Sequence, residues 1–254
     1  MHPFVTLVLL LLAVVCTGTC PTVNTLPDAV AMPSAPGSAS LAAGDFFATG
    51  ALSVVAAPPS GGDVIAFRAA SSGVFDQPVV LSSAEFVGPK LVRAAHITHD
   101  SYPDIVVANS GPSPELAVLV NINQTSGGFE RVRIYTAISN VRDMVVAAPA
   151  GDSVLHLFYI DNSGTRAIAG LAQLAARKQA GVSVPVGHIG MAMALATGDT
   201  NGDGLTEVVI LQDTGIKALR MNATSTQVLE HRWLVDFTPE RLPTSSSASI
   251  AVAD

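Results

Sequence analysis

Leu195-Ala196-Thr197-Gly198-Asp199-Thr200-Asn201-Gly202-Asp203-Gly204-Leu205-Thr206-Glu207-Val208-Val209-Ile210-Leu211 holds an oxygen-rich loop between two aliphatic runs. Asp199, Asn201 and Asp203 occupy alternate positions, so their side chains can turn toward one centre. Gly202 and Gly204 let the backbone bend tightly enough for that convergence. A hard dication such as calcium needs several oxygens at about 2.3 to 2.6 Å. The expected ligands are Asp199, Asn201, Asp203, the backbone carbonyl of Leu205 and a closing carboxylate from Glu207. Two other readings compete with this one. An EF-hand requires a carboxylate at position twelve and flanking helices, but position twelve is Ile210 inside a β-branched run. A metal-free hairpin is the other, since Asn-Gly and Asp-Gly are common turn pairs. Three alternating oxygens followed by Glu207 favour Ca2+.

The same template recurs upstream. Gly44-Asp45-Phe46-Phe47-Ala48-Thr49-Gly50-Ala51-Leu52-Ser53-Val54-Val55 keeps the shape but puts Phe47, Thr49 and Ser53 at the ligand positions, so no metal is expected there. His96-Ile97-Thr98-His99-Asp100-Ser101-Tyr102-Pro103-Asp104-Ile105-Val106-Val107 replaces the first two ligands with His96 and Thr98 and keeps Asp100 and Asp104. Whether that loop holds metal stays open. Ala148 to Phe158 is a fainter copy with Asp152, and no metal is assigned to it. Ala251-Val252-Ala253-Asp254 repeats the approach to Asp199. The first positions, 45, 96, 148, 199 and 254, are 51, 52, 51 and 55 residues apart.

Further strand-like runs follow each loop at matching offsets: Asp63 to Arg68, Leu116 to Ile122 with Gly127-Gly128-Phe129, and Ile216 to Arg220. Three or four short strands per period of about 50 residues are the pattern of stacked units that bury their faces against neighbours. The expected fold class is all-β, a β-propeller with blades of roughly 51 residues and about four antiparallel strands each. Four blades are recognisable, and the ending at Asp254 points to a propeller that continues past the chain. Only Leu171 to Lys178, rich in alanine, reads as a turn or two of helix.

With this repeat and the Asp199 loop in view, the chain resembles the FG-GAP or VCBS repeat proteins, whose propellers resemble the head of the integrin α subunit. Residues 195–209 are similar to the family's loop motif, and Val118-Leu119-Val120-Asn121-Ile122 with Gly127-Gly128-Phe129 to its second strand and turn. The resemblance covers about residues 41–254. It implies calcium at the rim of a blade and a role in adhesion, recognition or carbohydrate binding.

The N-terminus has a short apolar core from Val5 to Val15 followed by small residues, which reads as a signal peptide over residues 1–18 although His2 is its one basic candidate. A lipoprotein signal fits poorly, because Val15 precedes Cys16 and Thr19 precedes Cys20. Residues 19–40, rich in Pro, Ser and Ala, read as a flexible lead-in, and residues 41–254 as the repeat domain. With two cysteines, at most one left after cleavage, no disulfide framework is expected. No later apolar run reaches membrane-spanning length. The sequons at Asn123 and Asn222 fit a secretory route.

With 49 % hydrophobic residues a large core is assured, and 13 % charged residues with a net charge of −7 argue against nucleic acid as a partner. His96, His99 and His156 read as relics of eroded loops and not as a zinc cluster, and His188 and His231 have no partner in a recognisable spacing. No nucleophile elbow, phosphate loop or paired metal-histidine motif is present, so no catalytic residue is assigned. The expected function is a secreted or cell-surface recognition module for a protein or glycan. The alternative is a secreted, lyase-like carbohydrate-active enzyme on the same scaffold.

Overall fold

A computed structural model of the chain describes residues 40–236 apart from 58–62, 70–74, 77, 83–87, 99, 110–113, 124–127, 137, 139, 149–153, 170, 178–180, 187–190 and 222–227. The expected signal peptide (1–18), nearly all of the lead-in (19–40), His99, Asp152, His188, Asn222 and the copy at Ala251 to Asp254 lie outside the described residues.

Among the described residues the chain forms four separate antiparallel sheets of four strands, each in simple sequence order. The first holds β1 (Ser40–Gly44), β2 (Ser53–Ala57), β3 (Val64–Phe67) and β4 (Val79–Ser82). β5 (Pro89–Ala95), β6 (Asp104–Asn109), β7 (Glu115–Asn123) and β8 (Gly128–Tyr135) make the second. The third is β9 (Asp143–Ala147), β10 (His156–Asp161), β11 (Gly164–Ile168) and β12 (Ser183–Pro185), with α1 (Leu171–Arg177) between its last two strands. β13 (Ala192–Gly198), β14 (Glu207–Gln212), β15 (Gly215–Met221) and β16 (Val228–Asp236) form the fourth. Among the described residues no helix is long and apolar enough to cross a membrane.

The second strand of each sheet explains why the sequence shows continuous aliphatic runs instead of polar alternation. Successive side chains on a strand face opposite ways, and both faces of β6 are covered. Ile105 and Val107 pack with Val55, Ala57 and Ala66 of the first sheet. Val106 and Ala108 pack with Met144, Leu157 and Tyr159 of the third. β10 repeats this, sending Leu157 and Tyr159 back to the second sheet and Phe158 and Ile160 forward to Val208 and Ile210 of the fourth. In α1, Leu171 and Ala175, four residues apart and so on one face, are buried in the same core as Ile134 and Ile168.

The first strands of consecutive sheets pack on one another, β1 on β5, β5 on β9 and β9 on β13. Side chains of these strands tie the sheets together at intervals that mirror the repeat. Val92 N donates to Ser40 Oγ at 3.1 Å, Arg93 Nε to Met144 O at 2.8 Å, and Leu195 N to Asp143 Oδ2 at 2.8 Å. Asp143 is the hub: its Oδ1 also takes the Arg93 guanidinium at 2.6 Å and the Met144 N–H at 2.8 Å. Asp143→Ala removes an acceptor shared by three sheets and is expected to cost about 1–3 kcal/mol, since it strands N–H donors that are largely shielded from water. Urea unfolding checks this, and a loss under about 0.5 kcal/mol would show that the hub does not hold the sheets.

Candidate metal centre and the loop that builds it

In each sheet eight residues separate the first strand from the second: 45–52, 96–103, 148–155 and 199–206. The paired residues closing these loops are Gly44 with Ser53, Ala95 with Asp104, Ala147 with His156, and Gly198 with Glu207. Position one of the repeat therefore opens the loop and position nine begins the second strand.

The Asp199 loop is wound around its first carboxylate. Asp199 Oδ1 accepts from the N–H groups of Asn201, Gly202 and Asp203 at 3.3, 2.8 and 3.2 Å, and Oδ2 accepts from Gly204 N–H at 2.7 Å. These donors, the Gly204 N–H foremost, hold the Asp199 carboxyl below its ordinary value of 3.8, because each stabilises the charged form. Gly202 and Gly204 have φ of 74° and 80°, the left-handed region that only glycine enters at little cost. Asp203 Oδ1 accepts from Leu205 N–H, while Oδ2 faces Asn201 Nδ2 at 3.2 Å and the Arg220 guanidinium at 3.0 Å. Glu207 is buried, and its Oε2 accepts from both Thr200 N–H and Thr200 Oγ1, at 2.8 and 2.7 Å.

One carboxylate oxygen from each of Asp199, Asp203 and Glu207 lies within 4.8 Å of the others. Oxygens bound to one calcium at about 2.4 Å are no more than about 4.8 Å apart, so the three acids meet the spacing requirement. Of the two remaining sequence-predicted ligands, Asn201 turns its Oδ1 to the Asp203 N–H at 2.9 Å, and Leu205 is engaged through its own N–H.

The loop at Asp45 shows what this geometry does and does not imply. Asp45 takes the N–H groups four and five residues on, Thr49 and Gly50, both at 2.8 Å, as Asp199 takes those of Asp203 and Gly204. Ala48 and Gly50 adopt φ of 55° and 72° where Gly202 and Gly204 adopt theirs. The fold of the loop is thus a property of its first aspartate and survives where Thr49 and Ser53 stand in place of Asp203 and Glu207. What the Asp45 loop lacks, and the Asp199 loop adds, is the second and third acids.

Position nine is a feature that reading the loops as ligand sets misses. Ser53, Asp104, His156 and Glu207 are 0, 0, 0 and 3 % exposed, although all are polar. Asp104 is the fullest case. Its Oδ2 accepts from Ile97 N–H, Thr98 N–H and Thr98 Oγ1 at 2.9, 3.0 and 3.1 Å, and its Oδ1 accepts from Asn121 N–H of β7 at 2.9 Å. Ser53 Oγ likewise accepts from Ala69 N–H at 3.3 Å. Ser53, Asp104 and Glu207 thus clip the loop, or the chain beyond the third strand, to the start of the second strand. Burial pushes the Asp104 carboxyl above its ordinary value of 3.8, and the hydrogen bonds from Asn121, Thr98 and Ile97 oppose that without cancelling it. His156, read from the sequence as part of a loop, is the first residue of β10 and stacks on Phe158 at 6.0 Å. The signal that exposes the series is a polar residue at the head of an aliphatic run, recurring every 51 or 52 residues. Asp100, the other acid kept in the second loop, is exposed and accepts from Tyr102 N–H at 2.9 Å.

No protein-family model matches the chain, and no curated protein matches it. Among solved structures the chain is similar to an Agrocybe aegerita lectin described for specific recognition of non-reducing terminal N-acetylglucosamine, with a TM-score of 0.54 and 13 % identity over 77 % of this chain and 51 % of that one. A chain of the Photorhabdus luminescens Tc holotoxin pore is similar at a TM-score of 0.45 and 16 % identity, over 84 % of this chain and 10 % of that one. The chain spans about half the length of the lectin. At these identities the likeness is one of fold.

Proposed function

We propose that the four sheets are blades of a β-propeller of the FG-GAP or VCBS type, and that the protein is a secreted or cell-surface recognition module braced by calcium at the Asp199 loop. Support for the propeller comes from the sheets following one another in chain order with their first strands side by side, as blades around an axis do. The observation that carries the calcium reading is the meeting of three carboxylates from Asp199, Asp203 and Glu207 at the edge of the fourth sheet. A rim loop stiffened by a cation presents a fixed surface, which lowers the entropy lost when a ligand docks.

Glycans are the favoured ligand class, because the lectin that shares the fold recognises a terminal sugar. The test is a glycan array probed with the protein in calcium and again in chelator. Calcium-supported binding to a subset of glycans is the expected result. An array with no bound glycan, from protein shown to be folded, would remove the glycan reading and leave a protein ligand to be sought.

A further inference from the structure

A cleft of about 410 Å3 opens between the third and fourth sheets, where the β10–β11 hairpin meets the start of β13, at the opposite end of β10 from the eight-residue loops. Arg142, Asp161, Ser163, Thr165, Val186 and Met191 are among its lining residues. The size falls within the usual range of ligand sites, about 300–1,000 Å3.

Two buried polar side chains in this region have no protein partner: Thr165 is among the lining residues, while Gln212 is outside the lining, across the strand pair from the lining residue Ala192. Thr165 is 2 % exposed and its Oγ1 has none; Gln212 is 0 % exposed and neither its amide oxygen nor its amide nitrogen has one. Strand alternation fixes where they point. Thr165 shares a face of β11 with Ala167, and Gln212 shares a face of β14 with Val208 and Ile210; all three of those apolar residues belong to the core between the third and fourth sheets. Gln212 is also the cross-strand partner of Ala192, which lines the cleft. Buried polar groups without partners are rare and costly, and a hydroxylated ligand in the cleft would satisfy Thr165.

Charge selects the kind of ligand. Arg142 is exposed at the mouth, and its guanidinium makes no hydrogen bond or ion pair among the described residues. Lys90, bonded through Nζ to Asn140 Oδ1 at 2.8 Å, lies close enough that burial and the Arg142 charge hold its ammonium below its ordinary range. The acid lining the cleft is Asp161, whose Oδ1 is engaged by Ser163 N–H and Oγ at 2.7 and 2.5 Å. Among the lining residues, Arg142 is the cation and Asp161 the acid; Asp213 stands beside the lining and accepts from Met191 N–H at 3.0 Å, so each acid is engaged within the protein while the Arg142 guanidinium is not.

We propose that this cleft binds a carboxylate-bearing sugar unit, a uronic acid in chemical class, with the Arg142 guanidinium on the carboxylate and Thr165 on a ring hydroxyl. The planar fork of arginine matches a carboxylate in two parallel hydrogen bonds. The inference rests on the glycan reading above and gives it a site and a ligand class.

The experiment titrates sodium glucuronate, glucose and sodium acetate into the calcium-loaded protein by calorimetry, and repeats the titration with Arg142→Gln and Thr165→Val. Glucuronate is expected to bind saturably and about tenfold more tightly than glucose, a margin set by one charge-assisted contact. Arg142→Gln should erase that margin, and Thr165→Val should weaken both sugars. Equal binding of glucuronate and glucose, no effect of Arg142→Gln, or no saturable binding of either sugar overturns the proposal. Acetate binding as tight as glucuronate also overturns it, by showing a simple anion site. Running Arg142→Gln on the glycan array separates the two readings. Array binding that persists unchanged sinks this site while sparing the glycan reading, whereas an array blank for both proteins sinks the glycan reading itself. Arg142 is exposed, so a folded variant is expected, and its melting curve verifies that.

Discussion

Asp104→Leu is expected to destabilise the protein by about 3 kcal/mol or more, the largest effect of any single exchange considered: leucine keeps the branched heavy-atom skeleton but replaces both acceptors with bulkier methyl groups. The carboxylate accepts four hydrogen bonds, from Ile97 N–H, Thr98 N–H, Thr98 Oγ1 and Asn121 N–H, at a site with no exposed surface. Removing it strands those donors, and each buried orphan costs about 1–3 kcal/mol before relaxation. Asp104→Asn keeps one acceptor oxygen and turns an NH2 toward the remaining donors, so an intermediate loss is expected. Guanidinium unfolding measures both; a loss below about 1 kcal/mol for the leucine variant would mean that position nine is not a clip. The pH dependence has a definite sign. Burial raises the Asp104 carboxyl above 3.8 in the fold. Its contribution is therefore fully favourable below the unfolded value and is lost as pH rises through the higher folded value, becoming constant above that. The stability difference between wild type and Asp104→Asn should fall as pH climbs out of the acid range. A difference that grows over the same interval would contradict the raised carboxyl.

Calcium at about one hundred times its dissociation constant is expected to stabilise the wild type by about 2.7 kcal/mol, the linkage value for one site on the folded state alone. Asp203→Ala should abolish the gain. In chelator the same exchange should cost under about 1 kcal/mol, because Asp203 is partly exposed and loses mainly its surface pairing with Arg220. Arg220 gives the experiment a second handle. Its guanidinium occupies Asp203 Oδ2, so Arg220→Gln frees an oxygen for the cation and should tighten calcium binding. The Asp45 loop is an internal control, since it has the same backbone shape without the second and third acids. Amide resonances of Gly202, Asp203 and Gly204 should move on calcium addition while those of Thr49 and Gly50 stay. Thermal melting with equal calcium stabilisation in wild type and Asp203→Ala would remove Asp203 from the site.

By itself the amino-acid sequence determined the all-β class, the count of four units and the placement of their loops. These follow from short-range physics: glycine and aspartate shape a loop within a few residues, and the aliphatic runs after Asp45, Asp100 and Asp199 have no helical period. It also pointed to Asp199, Asn201, Asp203, Leu205 and Glu207 as one oxygen-rich set, of which the structure brings the three carboxylates within 4.8 Å of one another. It misassigned His156, because a histidine beside an eroded loop looks like part of that loop until pairing with Ala147 shows that β10 has begun. Tertiary structure alone decided the rest. The clip role of Asp104 depends on Asn121, seventeen residues away and brought near by a hairpin. The hub at Asp143 joins Arg93 and Leu195, each about fifty residues distant. The cleft needs the hairpin of one sheet beside the first strand of the next, and Thr165 lines it only because β11 turns that face toward the core shared with the fourth sheet. Local chemistry is written in adjacent residues, whereas burial and polar satisfaction are properties of the space between sheets and exist only once the sheets are packed.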